Sequence, residues 1–238
     1  MQQLSNWTDE RQTVRCAFCG GRTTTRDHVP PRVFLDEPYP ENLHVVAACL
    51  KCNSSASSHE EYVACLVECV LAGSADPAHL RREKIRRGLE YKPLLQSRLE
   101  QACHMAGGRV SFRTEPERVK RVVVKLARGH AAFELNEPQL RRPSTIQICP
   151  LPLLPPEDVP IFEGPLDCDI WPEVGTRAMQ RLAFAASGVL ASDWIEAQPG
   201  RYRYLTWLGR EGTVLVRGVI GEYLWFQVLW SQPHKAQL

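Results

Sequence analysis

The 238-residue chain lacks any long apolar run. No stretch approaches the roughly 18 consecutive apolar residues that a membrane-spanning helix requires. The first residues, MQQLSNWTDERQ, also lack the apolar stretch of a secretory signal peptide. Internal repeats and low-complexity tails are missing too, which argues against a repeat protein. We therefore expect a globular, cytoplasmic protein with no membrane partner.

Disulfide bonds are not expected, although the chain contains nine cysteines. An odd number of cysteines, no export signal and two C-x-x-C pairs together favour reduced thiols, four of them on a metal ion. Cys65 and Cys69 lie four residues apart in an apolar helical stretch, where a buried thiol is a small hydrophobic side chain.

The two C-x-x-C pairs are Cys16-Ala-Phe-Cys19 and Cys49-Leu-Lys-Cys52. Each pair can present two thiolates at one edge of a tetrahedron, which is the arrangement that Zn²⁺ takes in a closed structural site. Residues 16–58 contain only short apolar runs, so this segment cannot bury a core of its own. The sequence therefore predicts one structural zinc ion on Cys16, Cys19, Cys49 and Cys52.

The remaining patterns predict an α+β fold. Ser57 with Glu60, or Ser58 with Glu61, offers a capping box for a helix that stops at Gly73. The other predicted helices cover about 76–104 (from Asp76-Pro77), 117–132 and 177–186, and a short strand covers 109–112. Residues 202–207, 213–219 and 223–230 are rich in aromatic and β-branched residues between turns, which predicts an antiparallel β meander.

These elements suggest three regions along the chain. Residues 1–75 would form a zinc-stapled unit, residues 76–140 a basic helical region, and residues 141–238 a C-terminal α+β domain of unknown role. Between Pro138 and Pro172 the many prolines predict extended connections or edge strands rather than helix.

Positive charge is concentrated in the middle of the chain. Residues 81–130 contain 14 Lys and Arg but 5 Asp and Glu, whereas the whole chain has a formal net charge of +2. Such a local excess suits a polyanionic partner. The sequence thus favours a nucleic-acid partner, although charged helical faces are often simply solvated.

The segment between the cysteine pairs carries Asp27-His28-Val29-Pro30-Pro31 and Asn42-Leu43, and Asn53 directly follows Cys52. In this order, with the flanking C-x-x-C pairs, the stretch resembles the HNH nucleases and their ββα-metal motif. The resemblance covers about Cys16 to Ser58. It implies a ββα-metal unit, and hence an endonuclease that hydrolyses phosphodiester bonds, with DNA as the expected partner.

The resemblance also implies roles for individual residues. Asp27 would be a ligand of a catalytic Mg²⁺ or Mn²⁺ ion, and His28 the general base that deprotonates the attacking water. Asn42 would tie down the loop that bears His28, and Asn53 would be the second metal ligand, with His59 as a possible substitute. The residue types suit this chemistry, because an imidazole titrates near neutral pH and carboxylate and amide oxygens bind hard cations.

Two other functions remain open from the sequence. The segment could be a zinc module that binds nucleic acid or protein without catalysis, or the enzyme could be an HNH-type RNase. The sequence does not determine the oligomeric state.

Overall fold

The computed structural model describes residues 13–184 and 188–231, and these form a mixed fold of helices and antiparallel strands. The predicted α+β class is confirmed. The chain builds a small two-stranded unit at its N-terminus, then a helical middle, then a five-stranded antiparallel sheet.

The N-terminal unit has the order strand, strand, helix. Strand β1 (Thr25–His28) pairs antiparallel with β2 (Val45–Ala48), so that Asp27 lies opposite Val46 and His28 opposite Val45. A short 3-10 turn, Arg32–Phe34, lies in the connection. Helix α1 (Leu50–Ala72) follows β2 after one residue.

Helix α1 begins earlier than the capping boxes predict. Its N-cap is Cys49, whose sulfur accepts a hydrogen bond from the backbone N–H of Cys52. The predicted start at Ser57 or Ser58 is therefore wrong, because the second cysteine pair itself forms the first turn. The predicted end is confirmed: Gly73 has a φ of 64°, a left-handed conformation that glycine adopts without steric cost.

The single helix predicted from Asp76 to about His104 is instead two helices, α2 (Glu83–Glu90) and α3 (Pro93–Ala102). Asp76 caps only a 3-10 turn, Pro77–His79. The buried carboxylate of Glu68 accepts from the backbone N–H groups of Arg81 and Arg82. The backbone N–H groups of Arg81 and Arg82 therefore bond to a side chain rather than within a helix. Pro93 then begins helix α3.

A hairpin and a long helix complete the middle of the chain. Strand β3 (Cys103–Ala106) turns at Gly107 and Gly108 into β4 (Arg109–Phe112), which has the predicted bounds. Helix α4 (Pro116–Leu135) contains the whole predicted helix. The predicted apolar stripe is buried along it, at Val119, Val122, Val123, Leu126 and Ala127.

The predicted meander forms the centre of the C-terminal sheet. Its strands are β10 (Tyr202–Gly209), β11 (Thr213–Ile220) and β12 (Leu224–Trp230). Strand β5 (Thr145–Pro150), an edge strand of the kind predicted for the proline-rich region, and β9 (Ile195–Gln198), which the sequence analysis did not predict, flank them in the order β5-β12-β11-β10-β9.

Short elements complete the C-terminal part of the chain, including a helix in the proline-rich region where none was predicted. They are helices α5 (Val159–Glu163) and α6 (Arg177–Arg181), and a small sheet of β6 (Leu166–Asp167), β7 (Ala183–Phe184) and β8 (Leu190–Ser192) in the order β6-β8-β7. The predicted helix 177–186 therefore ends at Arg181, and part of that prediction lies outside the described residues.

One cluster of buried side chains joins α1 and α4 to the five-stranded sheet. Cys65 and Cys69 lie inside it, as predicted. A second cluster lies under the cysteine pairs, where Phe18, Val29 and Val46 pack against Phe133 of α4. None of the helices in the described residues is long and apolar enough to cross a bilayer.

Gly129 sets how closely α4 approaches the N-terminal unit. A Cβ atom there would lie 2.6 Å from a methyl carbon of Val29. Gly129→Ala should therefore lower the free energy of unfolding, by about 1–3 kcal/mol, as is typical of an overpacked core. Chemical denaturation measures this value.

Gly88→Ala is the matched control, because Gly88 lies inside α2 and a Cβ there meets no atom within 4 Å. That change should raise the free energy of unfolding by up to about 1 kcal/mol through helix propensity alone. Equal effects of the two substitutions would contradict the close packing of α4 on Val29.

Candidate functional site

The four cysteines of the two C-x-x-C pairs come together in the fold, and we call them the cysteine cluster (Cys16, Cys19, Cys49, Cys52). Their sulfur atoms all lie within 4.8 Å of one another. The Cys19 and Cys49 sulfurs are 3.8 Å apart. A tetrahedral site with Zn–S bonds of about 2.3 Å requires sulfurs about 3.8 Å apart, so the cluster fits a structural zinc ion.

Backbone hydrogen bonds hold the first cysteine pair in place. Gly20, with a φ of 73°, donates to the carbonyl of Cys16 at 2.8 Å, which closes a tight turn around the pair. Ala17 donates to the carbonyl of Ala47 on β2 at 2.9 Å. The turn is thus fixed to the strand that leads into the second pair.

The second pair uses the start of α1. The backbone N–H of Cys52 and the neighbouring thiols lower the pKa of Cys49 to about 7. Thiolates at helix N-termini are stabilised by the free N–H groups there, and zinc binds thiolates. The position of Cys49 therefore favours its thiolate form, which is the form that binds a metal ion.

Asp27 and His28, the two central residues of the prediction, end β1. Asp27 is buried, with 7% of its surface exposed, whereas His28 is half-buried. Burial and the nearby Arg32 lower the pKa of His28, and Asp27 offsets part of this effect. His28 is therefore mostly neutral at neutral pH, which is the form that accepts a proton.

The Asp27 carboxylate forms part of a buried ion triad with Lys125 and Glu60. The Lys125 ammonium on α4 lies 2.6 Å from Asp27 Oδ2 and 2.5 Å from Glu60 Oε1 on α1. Burial opposes the charge of Lys125, but the two carboxylates outweigh it and raise its pKa. Neither Glu60 nor Lys125 was among the site residues expected from the sequence, where Glu60 was predicted only as part of a capping box.

Asn53 lies in the first turn of α1 and faces β1. Its side-chain amide donates to the carbonyl of Arg26 at 3.1 Å and to the Thr25 hydroxyl at 3.3 Å. The amide nitrogen therefore fixes the helix to the strand that carries Asp27, and Oδ1 is the atom that a cation would take.

Asn42 and His59 have different surroundings from those expected. Asn42 is exposed before β2, and the residue that ties down the chain beside His28 is Val29, whose backbone N–H donates to the His44 carbonyl at 2.9 Å. His59 faces α4, where its Nε2 lies 3.5 Å from Arg121. No contact in the described residues brings His59 to Asp27.

A groove of about 450 Å³ runs between α1 and α4 beside the cysteine cluster, and we call it the basic groove. Its lining includes Lys120, Arg121, Lys125 and Arg128, with Glu117 as the acidic member. Arg128 donates to the backbone carbonyls of Phe18, Leu140 and Arg141, which are neutral acceptors. The groove thus presents mainly positive charge.

A second space of about 400 Å³ lies between the N-terminal unit and the sheet, and we call it the interface cavity. Val29 and Pro30 line it directly after His28, together with His44, Arg181 and Thr206. His44 could not be selected from its sequence pattern, because its partners Tyr204 and Glu134 are distant along the chain.

One tightly bound zinc ion per chain is the prediction from the cysteine cluster. Cys52→Ser should abolish zinc binding and destabilise the N-terminal unit, because the free energy of metal binding at such a site adds to the free energy of folding. Elemental analysis of pure protein measures the zinc content. Cys103→Ser is the control, because Cys103 lies on the β3–β4 hairpin outside the cluster and should retain one zinc. Zinc-free wild-type protein would contradict the prediction.

Comparison with family models, with curated proteins and with solved structures found no match for this chain.

Proposed function

We propose that this protein is an HNH-type endonuclease that hydrolyses DNA phosphodiester bonds, with His28 as the general base. The observation that carries the proposal is the arrangement of β1, β2 and α1 around the cysteine cluster. This arrangement ends β1 on Asp27 and His28 and turns Asn53 toward the same strand. It is the strand–strand–helix order that the resemblance implies.

The state of His28 supports the role of a base. A general base must be unprotonated before it takes a proton from water, and its pKa must not lie far below the working pH. The lowered pKa of His28 meets the first condition, and its half-buried position leaves one side open to a substrate. Asp27 is buried against Lys125 and does not have this open side, so it is not proposed as the base.

The oxygen atoms around Lys125 suit a divalent cation. Asp27 and Glu60 direct carboxylate oxygens at one point, and Mg²⁺ and Mn²⁺ prefer such ligands. When bound there, the cation would stabilise the charge that develops on the leaving oxygen. Asp27 and Asn53 remain the proposed ligands, and Glu60 joins them.

The same triad favours a second candidate function. Lys125 already places a positive charge against Asp27 and Glu60, so the fold does not need a divalent ion to balance them. A zinc-stapled module that binds nucleic acid without cleaving it is compatible with this arrangement. The choice of DNA over RNA rests on the sequence resemblance alone.

The nucleic-acid partner is supported by the basic groove rather than by the whole positive segment. Arg82 is buried and binds Asp36 and the carbonyls of Val33 and Leu35. Arg86 and Arg87 both pair with Glu83. Lys120 and Arg121, in contrast, are exposed at the groove. We therefore assign the phosphate contacts to α4.

His28→Ala should reduce cleavage of plasmid DNA by at least about a hundredfold, the low end of what a positioned base contributes. Zinc content and melting temperature should stay close to wild type, since His28 is not in the cysteine cluster. In the wild type the rate should rise with pH through the lowered pKa of His28, below about 6.5, and level off above it, because only the neutral imidazole is active.

His104→Ala, at an exposed position on β3, is the matched control and should cleave like wild type. The assay uses plasmid and RNA with Mg²⁺ or Mn²⁺. If wild type and His28→Ala cleave equally well, His28 is not the base. If wild type binds DNA but cleaves nothing with any metal, the non-catalytic module is the correct function, and preferential cleavage of RNA would identify an RNase.

The double variant Lys120→Gln/Arg121→Gln should weaken DNA binding and reduce the log–log salt slope by about 2, because each lost phosphate contact removes nearly one released counterion. Fluorescence anisotropy of a labelled duplex over a salt series, without added Mg²⁺, measures both. Arg86→Gln/Arg87→Gln removes the same charge from a pair already bound to Glu83 and should change the slope less. Equal slopes for the two double variants would contradict the groove as the contact.

A further inference from the structure

We infer that the interface cavity binds a nucleotide unit that carries a phosphate and an exocyclic amino group, with His44 as the acceptor for the amino group and Arg181 as the contact for the phosphate. This inference goes beyond the proposed nuclease activity, because it concerns binding at a separate place and holds whether or not the protein cleaves nucleic acid.

The cavity has the size and lining of a ligand site. Its volume of about 400 Å³ lies in the range of small-molecule pockets, about 300–1,000 Å³. Apolar residues such as Val29, Leu43 and Ile195 line it together with a few polar groups. Thr206 and Ser192 are more than nine-tenths buried at this lining. Such a combination is typical of a site that fixes the orientation of one ligand.

A buried network determines which nitrogen of His44 carries the proton. The Tyr204 hydroxyl donates to Glu134 Oε1 at 2.6 Å, so its oxygen is left to accept from His44 Nδ1 at 3.1 Å. The ring also stacks on Phe133, with centroids 4.0 Å apart. With Nδ1 protonated and turned toward Tyr204, Nε2 keeps its lone pair on the other edge of the ring.

His44 stays neutral over the physiological pH range. Burial lowers its pKa to about 3, and the nearby Arg181 and Arg177 act in the same direction. A neutral imidazole with a fixed tautomer is an acceptor that cannot switch to a donor. The cavity therefore favours a ligand that donates an N–H at this point, as the amino group of adenine or cytosine does.

Two arginines lie at one side of the cavity, beside the buried carboxylate of the network. Arg181 lies 3.2 Å from Glu134, the buried carboxylate of the network. Arg177 lies over the ring of Phe133, 4.2 Å from its centroid, so two guanidinium groups share the surroundings of one carboxylate. Arg181 is one-third exposed, which leaves N–H groups that can bind an anion. Phosphate is the anion that a planar guanidinium binds with two parallel hydrogen bonds.

The rim of the cavity provides acceptors for a sugar. Asp193 and Glu196 are exposed at its lining, and carboxylates accept hydrogen bonds from ribose hydroxyls in other nucleotide sites. A free amino acid would also match an arginine and a carboxylate, but it would fill little of the space. The volume and the neutral acceptor together favour the nucleotide.

Isothermal titration of the wild-type protein with three probes tests the chemistry. The probes are AMP, adenosine, and purine riboside 5′-monophosphate, which is AMP without its amino group. AMP should bind with one site per chain. Each of the other two should bind about tenfold more weakly, because each leaves one polar group of the cavity without a partner. A dinucleotide, pApA, distinguishes a free nucleotide from the end of a strand, and binding of either one supports the site.

Two substitutions locate the site. His44→Phe keeps the ring stack and leaves Tyr204 bonded to Glu134, and it should abolish the preference for AMP over the amino-free analogue. Arg181→Met should abolish the preference for AMP over adenosine. The matched controls are His104→Phe and Arg210→Met, at exposed positions on β3 and after β10, which should bind like wild type.

Melting temperatures show whether each variant is folded. One folded variant, either His44→Phe or Arg181→Met, is sufficient to locate the site. The inference is overturned if AMP and pApA do not bind at millimolar concentration, if free amino acids bind in preference to AMP, or if a folded His44→Phe or Arg181→Met keeps both wild-type preferences. The wild-type titrations need no variant, so misfolding cannot leave the question open.

Discussion

The Lys125 ammonium is the interaction on which the arrangement of this protein depends. It lies between Asp27 on β1 and Glu60 on α1, and it belongs to α4, so one charged group joins three elements. All three side chains are about nine-tenths buried. Removing one partner from a buried ion pair typically costs about 3–5 kcal/mol, because the remaining charge is left without compensation. The position of α4 is therefore tied to the end of β1.

Because α4 is fixed in this way, its two faces define the two candidate sites. The side that meets the N-terminal unit carries Lys125, Arg128 and Gly129, and it borders the basic groove. The side that meets the sheet carries His130 and Glu134, which bond to Tyr202 and Tyr204. The hydrogen bonds beside the interface cavity therefore depend on the packing of α4 against β10.

The parts of the site that follow from local sequence could be predicted. The spacing of two C-x-x-C pairs predicts the cysteine cluster, because each pair is confined to one turn. Asp27 and His28 could be placed at a strand end by their motif, and the centre of the β meander by its residue pattern. The start of α1 could not, since two plausible capping boxes compete with a cysteine that only the tertiary site identifies as a cap.

The residues that the sequence did not reveal act over long separations. In the sequence, Lys125 is one of several cations on a helix, and only the fold pairs it with Asp27. Likewise, only the fold brings Tyr204 to the Nδ1 atom of His44. The charge count over residues 81–130 misled in the same way. The count treats Arg82 and Lys120 as equal. Arg82, however, is buried and pairs with Asp36, whereas Lys120 is exposed at the basic groove. Charge becomes informative only when its partners are known.

The triad also constrains how a divalent cation could act here. The two carboxylates raise the pKa of Lys125, so the ammonium stays charged at neutral pH. Deprotonation of Lys125 therefore cannot vacate the site for a divalent cation. A cation at Asp27 and Glu60 must therefore move the lysine side chain. Since Lys125 also lines the basic groove, the displaced ammonium would add its charge to that of Lys120 and Arg121. Binding of the cation and a stronger attraction for phosphate would then occur together, because one flexible side chain belongs to both places.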